Sequence, residues 1–300
     1  MTRIWKVGTR KSRLAQIQTD RVIQRLTAVF PEIECQKVFI TTKGDADQTT
    51  SLTQMGGQGV FVKKIQHELL AGTIDFAVHS AKDLPSVEPE ELTLAAFPER
   101  GAVEDCLLTL HGQTLEHLPK DARVGTSSLR RQFQILNVRP DLQVVSLRGN
   151  IDTRIQKLLA GDYDAIVMAK AGLDRYDLEL SQRGITENLL PLPDFLPAVS
   201  QGAIAVECVA GSEIAQLLEA IDDPIVRQAV TCERAFLSVF GAGCNVPIAA
   251  YAQAAAEGIH LQAMLGDLDT QQGHIIEDTG MEPIALGTRI ADTLRKKADM

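Results

Sequence analysis

The stretch "FGAGCNVPIA", residues 240 to 249, sets Cys244 between a glycine turn and an Asn-Val-Pro segment. A structural cysteine normally lies in an apolar run as a small buried hydrophobe, whereas this one is framed by Gly243 and Asn245. A thiol so placed can be reached, and reachable thiols act as nucleophiles or as points of covalent attachment. A second reactive pair is Lys82 and Asp83 in "VHSAKDLPS", where Leu84 and Pro85 force the chain to turn. An opposite charge within reach favours the ionised form of a carboxylate, which makes Asp83 a candidate charge stabiliser. The alternative for this pair is a solvated ion pair of little weight.

Cations gather at the starts of helices. "IWKVGTRKSRLAQIQTDRVIQRL" reads as a strand ending near Thr9 and a helix with apolar Leu14, Val22, Leu26 and Val29, and Arg10, Lys11 and Arg13 stand at its entrance. "ARVGTSSLRRQFQIL" repeats the plan, with Thr126, Ser127 and Ser128 as capping hydroxyls and Arg130 and Arg131 in the opening turn. In "VVSLRGNIDTRIQKLLAG", Arg148 ends a strand and Arg154 follows the cap at Asn150 to Asp152. The helix dipole makes a first turn electropositive, so cations there are unfavourable by a few tenths of a kcal/mol to about 1 kcal/mol. Three such clusters point to an anion held by backbone N–H groups and guanidinium forks together. Solvated arginines paired with distant carboxylates are the plainer alternative.

An internal repeat must position these groups. "VGT" at Val7 to Thr9 recurs at Val124 to Thr126, and "LLAGTIDFAV" (Leu69 to Val78) is echoed by "LLAGDYDAIV" (Leu158 to Val167). Each echo reads as a helix closed by a glycine and followed by a buried strand, so two similar α/β lobes are expected. Ligands of open α/β sheets bind beyond the carboxyl ends of strands, where all these clusters fall, and a cleft between lobes follows. A third unit starts after "AIDDPIVRQ", with a helix carrying Val226, Val230, Phe236, Leu237 and Phe240, three strands around "VPIAAYA", "IHLQAML" and "HIIED", and a closing helix; Cys244 heads its first strand.

The 300 residues, 45% hydrophobic and 23% charged, suit two or three globular domains. No signal-peptide or membrane-spanning stretch is apparent, which makes cytoplasm the expected location. Five cysteines without paired spacing argue for reduced thiols. The six histidines fall in no metal-ligand pattern, so no metal is expected. A net charge of −9 disfavours nucleic acid or an anionic membrane as partner.

"VGTRKSRLAQ", "TTKGD", "VHSAKDLP", "VGTSSLRRQ", "LRGNIDTR", "AIVMAKAGLDR", "PAVSQGAIAVE" and "GAGCNVPIAAYA", in this order, resemble the porphobilinogen deaminase (hydroxymethylbilane synthase) family over essentially the whole chain. The resemblance implies three domains: two lobes similar to periplasmic binding proteins, residues 1–98 with 200–218 and residues 99–199, and a small α+β domain, residues 219–300, with a three-stranded antiparallel sheet. It implies a transferase that joins four porphobilinogen molecules, with loss of ammonia, to a dipyrromethane cofactor bound to Cys244 through a thioether, then releases hydroxymethylbilane by hydrolysis. By matching motif positions, Lys82, Thr126, Ser128, Arg130 and Arg131 hold cofactor carboxylates, and Arg10, Ser12, Arg148, Arg154 and Arg175 serve substrate and the moving chain. Asp83 matches the catalytic aspartate, stabilising positive charge on a pyrrole nitrogen and carrying protons. A monomer is the family expectation.

Each pyrrole ring brings an acetate and a propionate, and arginine forks bind carboxylates with a geometry that lysine cannot match, which fits the clusters above. The chain departs from the family pattern in "SLTQMGGQGVFVKK", a glycine-rich candidate lid in which Gln54 and Gln58 replace common lysines, and at Ala242, Asn245 and Ser200. Phe61 is read as either a pyrrole-stacking ring or helix core with Ile65 and Leu69. Cys106, Cys208 and Cys232 sit in apolar periodic contexts and are expected to be core, with Cys35 undecided. Two rival classes remain at this point: a non-catalytic two-lobed anion-binding protein, and a cysteine-nucleophile transferase passing through an acyl-enzyme.

Overall fold

The structure is a computed structural model, and it describes residues 3–41, 62–241, 246–256 and 258–298. Along the chain run β1 (Ile4–Thr9), α1 (Arg13–Val29), β2 (Glu34–Phe39), α2 (Lys63–Leu70), β3 (Phe76–Ser80) and β4 (Leu92–Ala96). There follow β5 (Asp105–Thr109), β6 (Arg123–Gly125), α3 (Leu129–Val138), β7 (Gln143–Val145), α4 (Ile151–Leu159), β8 (Ala165–Ala169), α5 (Lys170–Tyr176) and β9 (Thr186–Leu190). The chain closes with β10 (Ile204–Val209), α6 (Glu213–Glu219), α7 (Pro224–Ser238), β11 (Ile248–Ala255), β12 (Gly258–Gly266), β13 (Gly273–Gly280) and α8 (Pro283–Lys297).

Two five-stranded sheets have the same plan. Their orders are β2-β1-β3-β10-β4 and β7-β6-β8-β5-β9. In each, the first strand of the repeat pairs parallel with its two neighbours: β1 with β2 and β3, β6 with β7 and β8. In each, the fourth position is an antiparallel strand that arrives from the other lobe, β10 in the first and β5 in the second. The chain therefore crosses between the lobes twice, after β4 and before β10. The expected repeat is present in detail: α2 and α4 both end one residue before an alanine, and Gly72 and Gly161 follow with φ of 68° and 77°. Only glycine adopts that left-handed turn at little cost, which aims β3 and β8 into their sheets.

Helix α1 belongs to both lobes. Val22 and Leu26 fill the first core, while Leu14 and Ile17 pack against the second-lobe cluster around Leu173 and Tyr176. Val29, expected on the apolar face, is instead 49% exposed, since the helix ends there and Phe30 takes the place against the core.

The third unit is the antiparallel sheet β11-β12-β13 covered by α7 and α8. Phe240 lies beyond the end of α7, not within it, and packs edge-on against Phe236 at 5.3 Å between ring centres. Glu233, fully buried on α7, ties this unit to both crossings. Its carboxylate accepts from Arg100 at 2.7 and 3.1 Å, from the Ser200 N–H at 2.5 Å and from the Ala252 N–H on β11 at 2.8 Å. Ser200 takes φ of 61°, a left-handed conformation that glycine would adopt at less cost.

Candidate active site

On the first lobe, chemistry gathers where β1 and β3 end. Asp83 closes a short 3-10 turn, Ala81–Asp83, directly after β3, and its side chain is exposed. Arg10 and Ser12 follow β1, and Arg10, Ser12, Gln18, His79, Ser80 and Asp83 line one cleft. The Ser12 hydroxyl is also the N-cap of α1, accepting the Ala15 N–H at 3.4 Å. Gln18 donates to the Ser80 hydroxyl at 2.9 Å, which braces the strand end that carries Asp83.

On the second lobe, Ser128 caps α3 by accepting the Arg131 N–H at 3.4 Å, and the Thr126 hydroxyl accepts the Ser128 N–H at 3.2 Å. The Thr126 and Ser128 hydroxyls thus have a structural task besides any contact with a ligand. Ser127, by contrast, does not cap the helix: its hydroxyl accepts the Leu147 N–H at 3.1 Å and donates to the Leu147 carbonyl at 2.9 Å, tying the two strand exits together. Arg130 and Arg131 are buried in the first turn of α3. Both guanidinium groups converge on Asp105, at 2.6 Å each, and each also donates to a carbonyl, that of Leu196 or Val167.

Gln201, on the return crossing, completes the hub. Its Nε2 donates to Asp105 at 2.9 Å and to the Val103 carbonyl at 2.7 Å, and its Oε1 accepts from Lys82 of the first lobe at 3.3 Å. Sequence reasoning missed Asp105 and Gln201. Asp105 opens the apolar run "DCLLTL", and an acid at the head of a fully buried strand was the available signal.

The cluster holds more positive charge than it neutralises. Among the described residues, Lys82 is acted on by Arg130 and Arg131, and Arg154 by Arg131 and Arg148, with Asp83 and Asp105 as the opposing charges. Removal from water, then Arg131, pulls the Lys82 ammonium down to about 8, against the opposing pull of Asp83 and Asp105. Removal from water, with Arg131 and Arg148, likewise brings Arg154 down to about 10, and Asp83 opposes. Burial alone would push the Asp105 carboxyl up, but Arg130 and Arg131 hold it well below the usual range.

Three guanidinium atoms in this cluster are buried without a hydrogen-bond acceptor: Nε of Arg130, Nε of Arg131 and Nη1 of Arg148. Buried donors that find no acceptor cost about 1–3 kcal/mol each, more when charged. Surplus cations and orphaned donors together fit a group that brings several carboxylates. The residues present therefore suit the dipyrromethane that the sequence led us to expect.

Arg175 is not brought into the cluster. It is buried at the crossing, donating to the Gly202 carbonyl at 2.6 Å and facing Glu99 at 3.4 Å, which also pairs with Arg21 and Arg25 of α1. Cys244, Ala242 and Asn245 lie outside the described residues, as do Gln54, Gln58, Phe61 and the rest of 42–61. Of the other thiols, Cys106, Cys208 and Cys232 are wholly buried, as expected, and Cys35 is half-buried. Burial pushes Cys35 and Cys208 up to about 11 and Cys232 up to about 12, so none of them supplies a thiolate near neutral pH.

Comparison with known proteins agrees with this geometry. The family model described as "Porphobilinogen deaminase, dipyromethane cofactor binding domain" matches residues 5–216, and that described as "Porphobilinogen deaminase, C-terminal domain" matches residues 227–296. The porphobilinogen deaminase of Brevibacillus brevis is 47% identical over 292 residues, 97% of this chain and 93% of that one. That of Streptococcus sanguinis is 48% identical over 271 residues, covering 90% and 88% of the two chains. Among solved structures, the periplasmic VFT2 domain of Bordetella pertussis BvgS covers 73% of this chain and 86% of its own, at 16% identity and a TM-score of 0.46, and no weight is placed on a likeness so low. Matched over residues 5–216 and 227–296 and nearly half identical to relatives of the same name, the chain belongs to the porphobilinogen deaminase family.

Proposed function

We propose that this protein is a hydroxymethylbilane synthase, a transferase of tetrapyrrole biosynthesis. It condenses four porphobilinogen molecules, losing one ammonia each time, and releases the linear tetrapyrrole by hydrolysis. The observation that carries the reading is the uncompensated positive charge between the lobes, with its three orphaned guanidinium donors. Every porphobilinogen ring adds two carboxylates, so a growing chain needs such a surplus.

Lys82, Thr126, Ser128, Arg130 and Arg131 would hold the carboxylates of the dipyrromethane, and Cys244 would fix it through sulfur. When bound, that group supplies a nucleophilic ring carbon and a tethered starting point. Arg10, Ser12, Arg148 and Arg154 orient the incoming substrate and the lengthening chain by forked contacts to carboxylates. Arg175 serves this traffic from the crossing, where it meets Glu99. When the aminomethyl carbon–nitrogen bond of porphobilinogen breaks, positive charge spreads onto its ring nitrogen. Asp83 stabilises that charge from the cleft it lines, a preorganised carboxylate in a site otherwise short of negative charge.

The working units are residues 1–98 with 200–218, 99–199, and 219–300. We place the enzyme in the cytoplasm as a monomer acting on small molecules, without nucleic acid, membrane or metal, in keeping with its charge of −9. No helix among the described residues is long and apolar enough to cross a membrane. The test is a colour reaction of the denatured protein with a pyrrole-specific aldehyde. Wild type is expected to react and Cys244→Ser is not; a colourless wild type would overturn the reading, and a coloured variant would overturn the anchor.

A further inference from the structure

The helix that carries the arginine clamp meets the third unit through an aromatic ring. Phe133, on α3 three residues after Arg130, is 1% exposed and packs with Leu196 of the return crossing, Ala249 of β11 and Met264 of β12. Its seat is a pair of glycines, Gly266 and Gly273, which stand opposite each other where the β12-β13 ladder ends. A methyl group added at Gly273 would lie 2.5 Å from Cζ of Phe133, and one at Gly266 would lie 2.8 Å from Cε1, closer than carbon atoms pack. Neither glycine takes a positive φ, so the backbone would accept any residue at both positions, and it is the ring that excludes a side chain.

Glycine weakens strand pairing, having no side chain to pack and more freedom to lose. The hairpin gives up both side chains at this register position and receives Phe133 in their place. The same turn of α3 fixes the Leu196 peptide: Gln134 accepts its N–H at 2.6 Å and donates to its carbonyl at 3.0 Å, and Arg130 donates to that carbonyl at 2.5 Å. From Arg130 to Gln134, α3 thus presents the guanidinium groups that meet Asp105 and also the ring seated against β11, a strand that begins four residues after Cys244. Glu233 keys the third unit to the crossings, and Phe133 keys it to the clamp.

We infer that Phe133 is a positioning residue: it holds the cysteine-bearing unit in register with the arginine clamp, so that a polyacid tethered at Cys244 meets Arg130 and Arg131 at a fixed span. The inference rests on the deaminase reading. A group held by sulfur at one end and by guanidinium forks at the other strengthens the native state only when the distance between the two holds matches its length. A free polyacid has no tether, so its affinity for the clamp does not sense that distance. Phe133 therefore acts on the tethered anion and leaves the free one alone. Ordinary core packing would not separate the two.

The test compares the full-length protein with its Cys244→Ser form, after intact mass has shown which preparations carry the pyrrole adduct. Adduct-bearing wild type is expected to melt above Cys244→Ser, and that margin measures how well the tethered group meets the clamp. Gly273→Ala, whose methyl presses the hairpin away from the ring, is expected to keep about half of the margin or less. In the Cys244→Ser background the same change should leave pyromellitate binding within about twofold of its parent. Adding Phe133→Leu to Gly273→Ala makes room for the methyl and should restore most of the margin. A folded Gly273→Ala protein that binds pyromellitate normally and carries no adduct supports the inference in its strongest form. An unchanged margin, pyromellitate binding weakened by about fivefold or more, or no recovery in the double variant overturns it. Should Gly273→Ala fail to fold, Phe133→Leu, which leaves the seat partly empty, is read in its place by the margin and by pyromellitate binding. Failure of that variant to fold as well assigns the ring to the core alone and ends the inference. Wild type without the adduct would overturn the deaminase reading itself, and this inference with it.

Discussion

Two side chains with consecutive numbers divide the chemistry of the cleft. Asp83 is exposed into the space where substrate charge develops, so Asp83→Asn removes transition-state stabilisation while leaving the fold and the carboxylate clamp intact. Purified Asp83→Asn should keep its pyrrole adduct by mass and lose about 100-fold or more in kcat; full activity would remove Asp83 from the mechanism. Lys82 makes a different prediction. Its folded value of about 8 lies below its ordinary one, so below about pH 8 it is charged in both folded and unfolded protein and bears the full cost of burial. Between that value and its ordinary one, only the unfolded state holds the proton, and the unloaded protein gains stability with rising pH. A bound polyacid pulls the other way, restoring the proton to Lys82. Calorimetry of Cys244→Ser protein with pyromellitate, in buffers of differing ionisation heat, should show proton uptake at about pH 9 and little at about pH 6.5. Uptake that persists in Lys82→Met would assign the proton elsewhere.

Helix starts are the elements that concentrate charge. Ser12, Ser128 and Asn150 each cap a helix by accepting an N–H three residues on, and their neighbours Arg13, Arg130, Arg131 and Arg154 fall in the opening turns. The caps at Ser128 and Asn150, the glycine closures and the repeated strands were legible because each follows from local residue chemistry. Asp105 was not, because its meaning depends on Arg130, Arg131 and Gln201, which only the folded sheet brings to it. Arg175 shows the same limit: its place in α5 turns it to Glu99 at the crossing, which no spacing in the sequence reveals. Breaking a buried ion pair from one side costs about 3–5 kcal/mol, so Asp105→Asn should lower Tm markedly. Loading with the polyacid should recover part of the loss, since the freed guanidinium groups gain its carboxylates. Unchanged stability would deny Asp105 its place as the hub.

At the scale of the whole molecule, the two lobes share one strand plan, and each receives its fourth strand from the other. That exchange sends two adjacent crossings past α7, where Glu233 grips Arg100, the Ser200 N–H and β11 at once. The unit that carries the Cys244 segment is therefore keyed to the points about which the lobes would move. Glu233→Gln weakens that key, and is expected to lower Tm by several degrees and raise hydrogen exchange at both crossings together; exchange raised in α7 alone would show that the crossings are held by other contacts.

All of these scales meet in one claim: cations crowded between two sister lobes are there to hold a polyacid tethered at Cys244. The intact mass of the purified protein decides it. Wild type is expected to exceed its bare polypeptide by two linked pyrrole rings, with Cys244→Ser at the bare mass. A wild-type protein at the bare mass, active on porphobilinogen, would contradict it.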